Sequence, residues 1–106
     1  MTKDKLIQIL DGWKINYTIN KYSSEGNDGN IIISFNDRSK IKLIYSSNEI
    51  KKIDYKFDVS KDNISEADII HARLCYYQTH NMMLSNIEID VIKEQIPIMI
   101  ENNIHI

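Results

Sequence analysis

The apolar positions Leu6, Ile7, Ile9, Leu10 and Trp13 recur at helical spacing, and from Trp13 onward the spacing switches to strict alternation. The first pattern predicts a helix over residues 3–12, with Thr2 as its N-cap, Asp4 in its first turn and Gly12 as its stop. The second predicts strands. In "WKINYTINKY", Trp13, Ile15, Tyr17 and Ile19 fall on one face, and Lys14, Asn16, Thr18 and Asn20 on the other. "SSEGNDG" (residues 23–29) holds two of the three glycines and reads as a flexible loop. A strand over 30–36 points Ile31, Ile33 and Phe35 inward, and one over 40–46 does the same with Ile41, Leu43 and Tyr45. A last strand over about 50–58 points Ile53, Tyr55 and Phe57 inward and Lys52, Asp54, Lys56 and Asp58 outward. Short loops between these strands make the sheet an antiparallel meander.

From Ser60 the period lengthens. Residues Ile64 to Leu84 contain no Gly or Pro, and Ala67, Ile70, Leu74 and Tyr77 share one helical stripe, flanked by Ile64, Cys75 and Met82. Ser60 or Asp62 would cap this helix. A second helix is expected from Ser85, with Glu88 completing a capping box and Pro97 ending or kinking it. Ile87, Ile89 and Val91 also alternate as a strand would. The expected fold is therefore α+β, a single domain over 1–106 with an N-terminal helix, a four-stranded antiparallel meander and two C-terminal helices.

Ile32 and Ile44 break the alternation, because both fall on the face that the pattern reserves for polar groups. Pairing Phe35 with Ile41 keeps inward residues together across a three-residue loop, Asp37, Arg38 and Ser39. That register sets Ile33 against Leu43, Ile31 against Tyr45, Ser34 against Lys42, and Ile32 directly against Ile44 on the outer face. One reading is a face covered by a C-terminal helix, or simply rich in Ile. The other is a contact surface for a second copy or another protein, where full burial of both side chains would contribute roughly 3 to 6 kcal/mol.

Composition bears on both readings. Ile (22), Asn (11), Lys (11) and Tyr (6) dominate while Ala numbers two, a bias towards AT-rich codons expected of a low-GC bacterium or its phage. Net charge is −2, so no global field draws the chain to nucleic acid. A single cysteine, Cys75, excludes an internal disulfide and suits a reducing cytosol. "MTKDKLIQIL" lacks the apolar run of a signal peptide, and no stretch approaches the ~20 apolar residues of a membrane span. A cytoplasmic location is expected.

Candidate chemistry is sparse. On a helix His71 and Cys75 stand about 40° apart, but His80 lies about 180° from His71, so the three cannot share one metal ion. His71, Cys75 and Gln78 line one margin of the apolar stripe, where a Cys–His pair would make either a reactive thiol or part of a half-buried packing edge. Asp54, Asp58, Asp62, Glu66 and Asp68 fall within fifteen residues, either imitating phosphates or favouring a helix start. Lys14, Lys40, Lys42, Lys52 and Lys56 face outward, where they would meet a phosphate backbone or discourage sheet aggregation. Tyr77 belongs to the stripe, which leaves Tyr76 as the surface anchor. No P-loop, dinucleotide fingerprint, nucleophile elbow or carboxylate pair is present. The expectation is a binding protein with no cofactor and no catalysis, using Ile32, Ile44, Lys42, Tyr76, Asp58, Asp62 and Glu66.

The opening "KLIQILDGWKINYTI", followed by a polar loop and "NIIISFND", resembles small type II-A anti-CRISPR proteins of phages. In that family a short helix leads into an antiparallel sheet and then two helices. The likeness covers the first half of the chain and is one of pattern. It implies an inhibitor whose partner is a host defence nuclease of the CRISPR type. No site residues of the family carry over. A nucleic-acid-binding accessory or regulatory protein is the alternative, and a thiol- or metal-dependent enzyme comes third.

Overall fold

Thr2 begins the first helix as the pattern predicts, its Oγ1 accepting from the Lys5 amide at 3.1 Å. In the computed structural model, which describes residues 1–56, 64–82 and Glu94, this helix is α1 (Lys3–Gly12) and buries Leu6, Ile9 and Leu10. It ends at Gly12 as predicted, with Trp13 as its C-cap. The left-handed position is Lys14, at φ 58°, where the Ile15 amide donates back to Leu10 and the Lys14 amide to Asp11. That is a Schellman ending, with Ile15 returning towards Leu10. It consumes Trp13, Lys14 and Ile15, so the first strand is only β1 (Thr18–Lys21) instead of the whole alternating run.

Three strands follow, β2 (Gly29–Ser34), β3 (Lys40–Ser46) and β4 (Glu49–Asp54), in an antiparallel sheet of order β1-β2-β3-β4. The meander is as expected, but its central register is not. Ile33 pairs with Ile41, Ile31 with Leu43 and Gly29 with Tyr45, a slip of two from the predicted pairing that leaves every side chain on its predicted face. The cause lies in the turn. Phe35 and Ser39 close the hairpin, the Arg38 amide donates to the Phe35 carbonyl, and Arg38 is left-handed at φ 73°. Asp37 Oδ1 accepts from the Ser39 amide and hydroxyl. The three loop residues are therefore Asn36, Asp37 and Arg38, a type I turn with a left-handed third residue.

The inner face buries Ile31, Ile33, Ile41, Leu43, Tyr45, Ile50 and Ile53. Ile50 and Ile53 are three apart, which simple alternation forbids. A bulge resolves it: Ile44 pairs with Lys52 and Tyr45 with Ile50, so Lys51 is the extra residue. Ser47 and Asn48 turn the β3–β4 hairpin with positive φ at both positions, the backbone of a type I′ turn.

The loop over 23–29, expected to be flexible, is tied down instead. Asp28 Oδ1 accepts from the Ser46 hydroxyl and the Ser47 amide, and the Asn48 amide donates to the Asn27 carbonyl. Gly29 sits where no side chain fits. A Cβ there would stand 2.2 Å from the Asn20 carbonyl oxygen and 2.6 Å from the Tyr45 hydroxyl.

The chain forms two compact units, Met1–Asp54 and Tyr55–Ile106. In the second, α2 (Glu66–His80) is capped by Ser65 rather than Ser60 or Asp62. Ser65 Oγ accepts from the Asp68 amide and the Asp68 carboxylate accepts from the Ser65 amide, a reciprocal capping box. Asn81 ends the helix in the left-handed conformation, short of the predicted Leu84. The stripe residues Ala67, Ile70 and Leu74 are buried, Tyr77 is half-buried and Met82 is exposed. The second C-terminal helix expected from Ser85, and Phe57, Asp58, Ser60 and Asp62, lie outside the described residues.

Two substitutions test these backbone assignments in denaturant titrations. Lys14→Gly relieves a left-handed side chain at a helix end and is expected to add about 1 kcal/mol. Gly29→Ala forces a backbone clash and is expected to remove about 3 kcal/mol. A neutral Gly29→Ala would contradict the close approach of Asn20 and Tyr45.

Candidate functional site

Alternation along the three longer strands and β1 places Thr18, Asn20, Asn30, Ile32, Ser34, Lys40, Lys42, Ile44, Ser46, Glu49, Lys52 and Asp54 on one face of the sheet. Ile32 and Ile44 do not face each other, because the hairpin register is two residues off the predicted one. Ile32 stands between Thr18 and Lys42, and Ile44 between Asn30 and Lys52. They are diagonal neighbours across β2 and β3, within reach of long side chains. Both are half-buried, as is Lys42 between Ile32 and Asp54.

Beside Ile44 the face carries a fixed amide row. Asn20 Nδ2 donates to Asn30 Oδ1 at 2.9 Å, and Asn30 Nδ2 donates to the Tyr22 hydroxyl at 2.7 Å. Asn30 is only 7% exposed, so its two bonds satisfy a buried polar group rather than await a ligand. Beside Ile32, a shallow groove of about 130 Å³ is lined by Asn16, Tyr17, Thr18, Ile32 and Ser34. Tyr17 is pinned at its edge by a hydrogen bond to Asp11 Oδ1 at 3.0 Å. That bond, then burial, raises the phenol above its ordinary 10.0.

The second unit holds the other cluster. The Tyr55 hydroxyl donates to Asp68 Oδ1, its ring lies 4.8 Å from that of His71, and His71 Nε2 is 3.3 Å from Cys75 Sγ. Asp68, His71 and Cys75 are all buried. Of the margin expected to be a half-buried packing edge, His71 and Cys75 are fully buried and Gln78 is half-buried. Burial pushes the Cys75 thiol up from 9.0 to about 12, so at neutral pH it is a protonated thiol held against Nε2, not a nucleophilic thiolate. Asp68 is committed to its cap and to Tyr55.

Of the remaining predicted residues, Tyr76 and Glu66 belong to the second unit, and Asp58 and Asp62 lie outside the described residues. Tyr76 is half-buried and stacks on His80 at 4.1 Å, and Glu66 is exposed in the first turn of α2. Among the described residues no three His, Cys, Asp or Glu side chains come together as a metal site. None of their helices is long and apolar enough to cross a membrane. Sequence reasoning missed the groove and the Asn20–Asn30–Tyr22 row. The outward Asn pair on adjacent strands was a usable signal for the row. The groove depends on where β1 begins, which the alternation concealed.

The thiol assignment predicts a pH dependence. The folded pKa lies above the unfolded one, so the associated stability is complete below pH 9 and is lost as pH rises towards 12. Cys75→Ser is expected to cost about 1 kcal/mol and to flatten the loss between pH 9 and 10, before the tyrosines contribute. Thiol labelling of the folded protein at pH 8 should follow unfolding. Rapid labelling without unfolding would show a reactive thiolate.

No protein-family model, no curated protein and no solved structure matches the chain.

Proposed function

We propose that the chain is a small protein-binding inhibitor whose contact surface is the outer sheet face around Ile32, Lys42 and Ile44, and that it catalyses no reaction. One observation carries the reading: two large β-branched side chains stand half-buried on a face otherwise made of Asn, Thr, Ser, Lys, Asp and Glu. Apolar groups set close together on a polar face are what an interface uses. The buried, protonated thiol and the committed Asp68 add weight, since neither is an available nucleophile or carboxylate base.

The pattern of the first half, a short helix running into an antiparallel sheet, favours a host defence protein as partner. A CRISPR-type nuclease is the first target to assay. A single buried cysteine suits the reducing cytoplasm where such a target is met. Lys40, Lys42 and Lys52 share the face and support a second reading, an accessory protein that binds nucleic acid. Such binding would fall steeply with salt.

Ile44→Lys separates these ideas. Ile44 is half-buried, so the change is expected to cost about 1 kcal/mol and shift the melting temperature by a few degrees. It should abolish capture of the partner from a low-GC bacterial lysate, or self-association read by light scattering. Undiminished capture by a folded variant would reject this face as the contact surface. Loss of the fold would show instead that the face is covered.

A further inference from the structure

The end of α1 leaves a vacancy in the sheet. In an antiparallel ladder, alternate residues of a strand send both backbone groups to the same neighbour. Phe35 bonds towards β3 through Ser39, and Asp28 bonds towards β1 through Tyr22. The even-numbered residues from 28 to 34 therefore direct their N–H and C=O at β1. Ile32 meets Thr18 and Asn30 meets Asn20, but β1 starts at Thr18, so among the described residues no strand residue stands opposite Ser34. Among the described residues, the Ser34 N–H and C=O have no backbone partner on that side.

The vacancy opens onto the groove lined by Asn16, Tyr17, Thr18, Ile32 and Ser34. At about 130 Å³ the groove is far smaller than the ~300–1,000 Å³ of sites for small organic ligands. It suits one side chain of a larger partner, resting on Ile32. The next strand over supplies charge. Lys40 is the direct neighbour of Ser34 and Lys42 of Ile32, and the outer face of β3 and β4 carries Lys40, Lys42 and Lys52 against Asp54 and, at the far end of β4, Glu49.

We infer that the segment bound here is an extended acidic peptide, which pairs its main chain with Ser34, seats one side chain on Ile32 and sets carboxylates against Lys40 and Lys42. This rests on the protein-binding reading of the face and names the chemistry of its partner. An extended peptide supplies main-chain donors and acceptors in the alternating pattern that an open strand edge demands. A nucleic acid would answer the lysines and leave Ser34 and Ile32 unmatched. Strand addition also suits a small interface, because pairing gives affinity while the groove and the charges select the sequence.

The probe is a short fluorescein-labelled peptide of alternating Val and Glu, followed by fluorescence anisotropy at low salt. Its controls are the matching peptide of Val and Lys and a short DNA duplex. Ser34→Pro removes an N–H that points away from β3, so the β2–β3 ladder survives while the edge is blocked. Lys42→Glu reverses the charge without touching the backbone. Saturable binding of the acidic peptide is expected, weaker for both controls, and reduced about tenfold by each variant while circular dichroism is unchanged. The inference is overturned if the acidic peptide does not bind, if the duplex binds more tightly, or if Lys42→Glu and a folded Ser34→Pro bind as the parent does. Self-association lost in both variants, with no peptide bound, would assign the edge to a second copy instead. If these arms fail while Ile44→Lys still abolishes partner capture, the protein-binding reading stands and only the acidic strand falls.

Discussion

The pairing of β2 with β3, closed by Phe35 and Ser39 around a three-residue turn, is the constraint from which the rest follows. Side chains alternate along a strand, so this one register decides which residues are buried and which face outward. It puts Ile31, Ile33, Ile41, Leu43 and Tyr45 into the interior and leaves Ile32, Lys42 and Ile44 on the opposite side. β4 then joins β3 with a bulge at Lys51, which lets Ile50 and Ile53 both reach the interior without exchanging the faces of β3. A slip of one residue would invert both faces, whereas the observed slip of two alters only who stands opposite whom.

With three glycines in 106 residues, the chain makes its turns from residues that resist them. Lys14, Arg38, Ser47, Asn48 and Asn81 all adopt positive φ. Asn tolerates that region, and Lys, Arg and Ser do so at a cost of about 1 kcal/mol each. The cross-ties of the first unit offset this strain: Asp28 holds Ser46 and Ser47, Asn27 holds Asn48, and the Lys3 amide donates to the Asn48 carbonyl. Lys3 also reaches the Gly26 carbonyl and lies over the Tyr45 ring. Gly29 is placed where it is indispensable, between the Asn20 carbonyl and the Tyr45 phenol.

Much of this was legible in the sequence, for reasons that differ by element. The bounds of α1 and of the strand over 40–46 follow from caps and alternation that nothing else contests. The faces of β2 and β3 were legible because parity survives a two-residue slip. Their partners were not, because a left-handed Arg at the hairpin carries no sequence signature. Trp13, Ile15 and Tyr17 alternate like a strand, yet the first two serve a helix ending, since backbone hydrogen bonds at a helix terminus outrank a short alternating run. The Ser65–Asp68 box was a readable cap, hidden by stronger-looking candidates upstream. Burial of His71 and Cys75 was not readable, because helical spacing gives an angle and not the depth of what surrounds it.

On the proposed reading, the face bearing Ile44 is open in the free protein and closed by a partner. The most direct test is the rate at which Ile44→Cys, in a Cys75→Ser background, reacts with a maleimide. Reaction close to that of an exposed thiol is expected in the folded, free protein, with marked slowing once the partner is bound. Reaction only as the chain unfolds would contradict it.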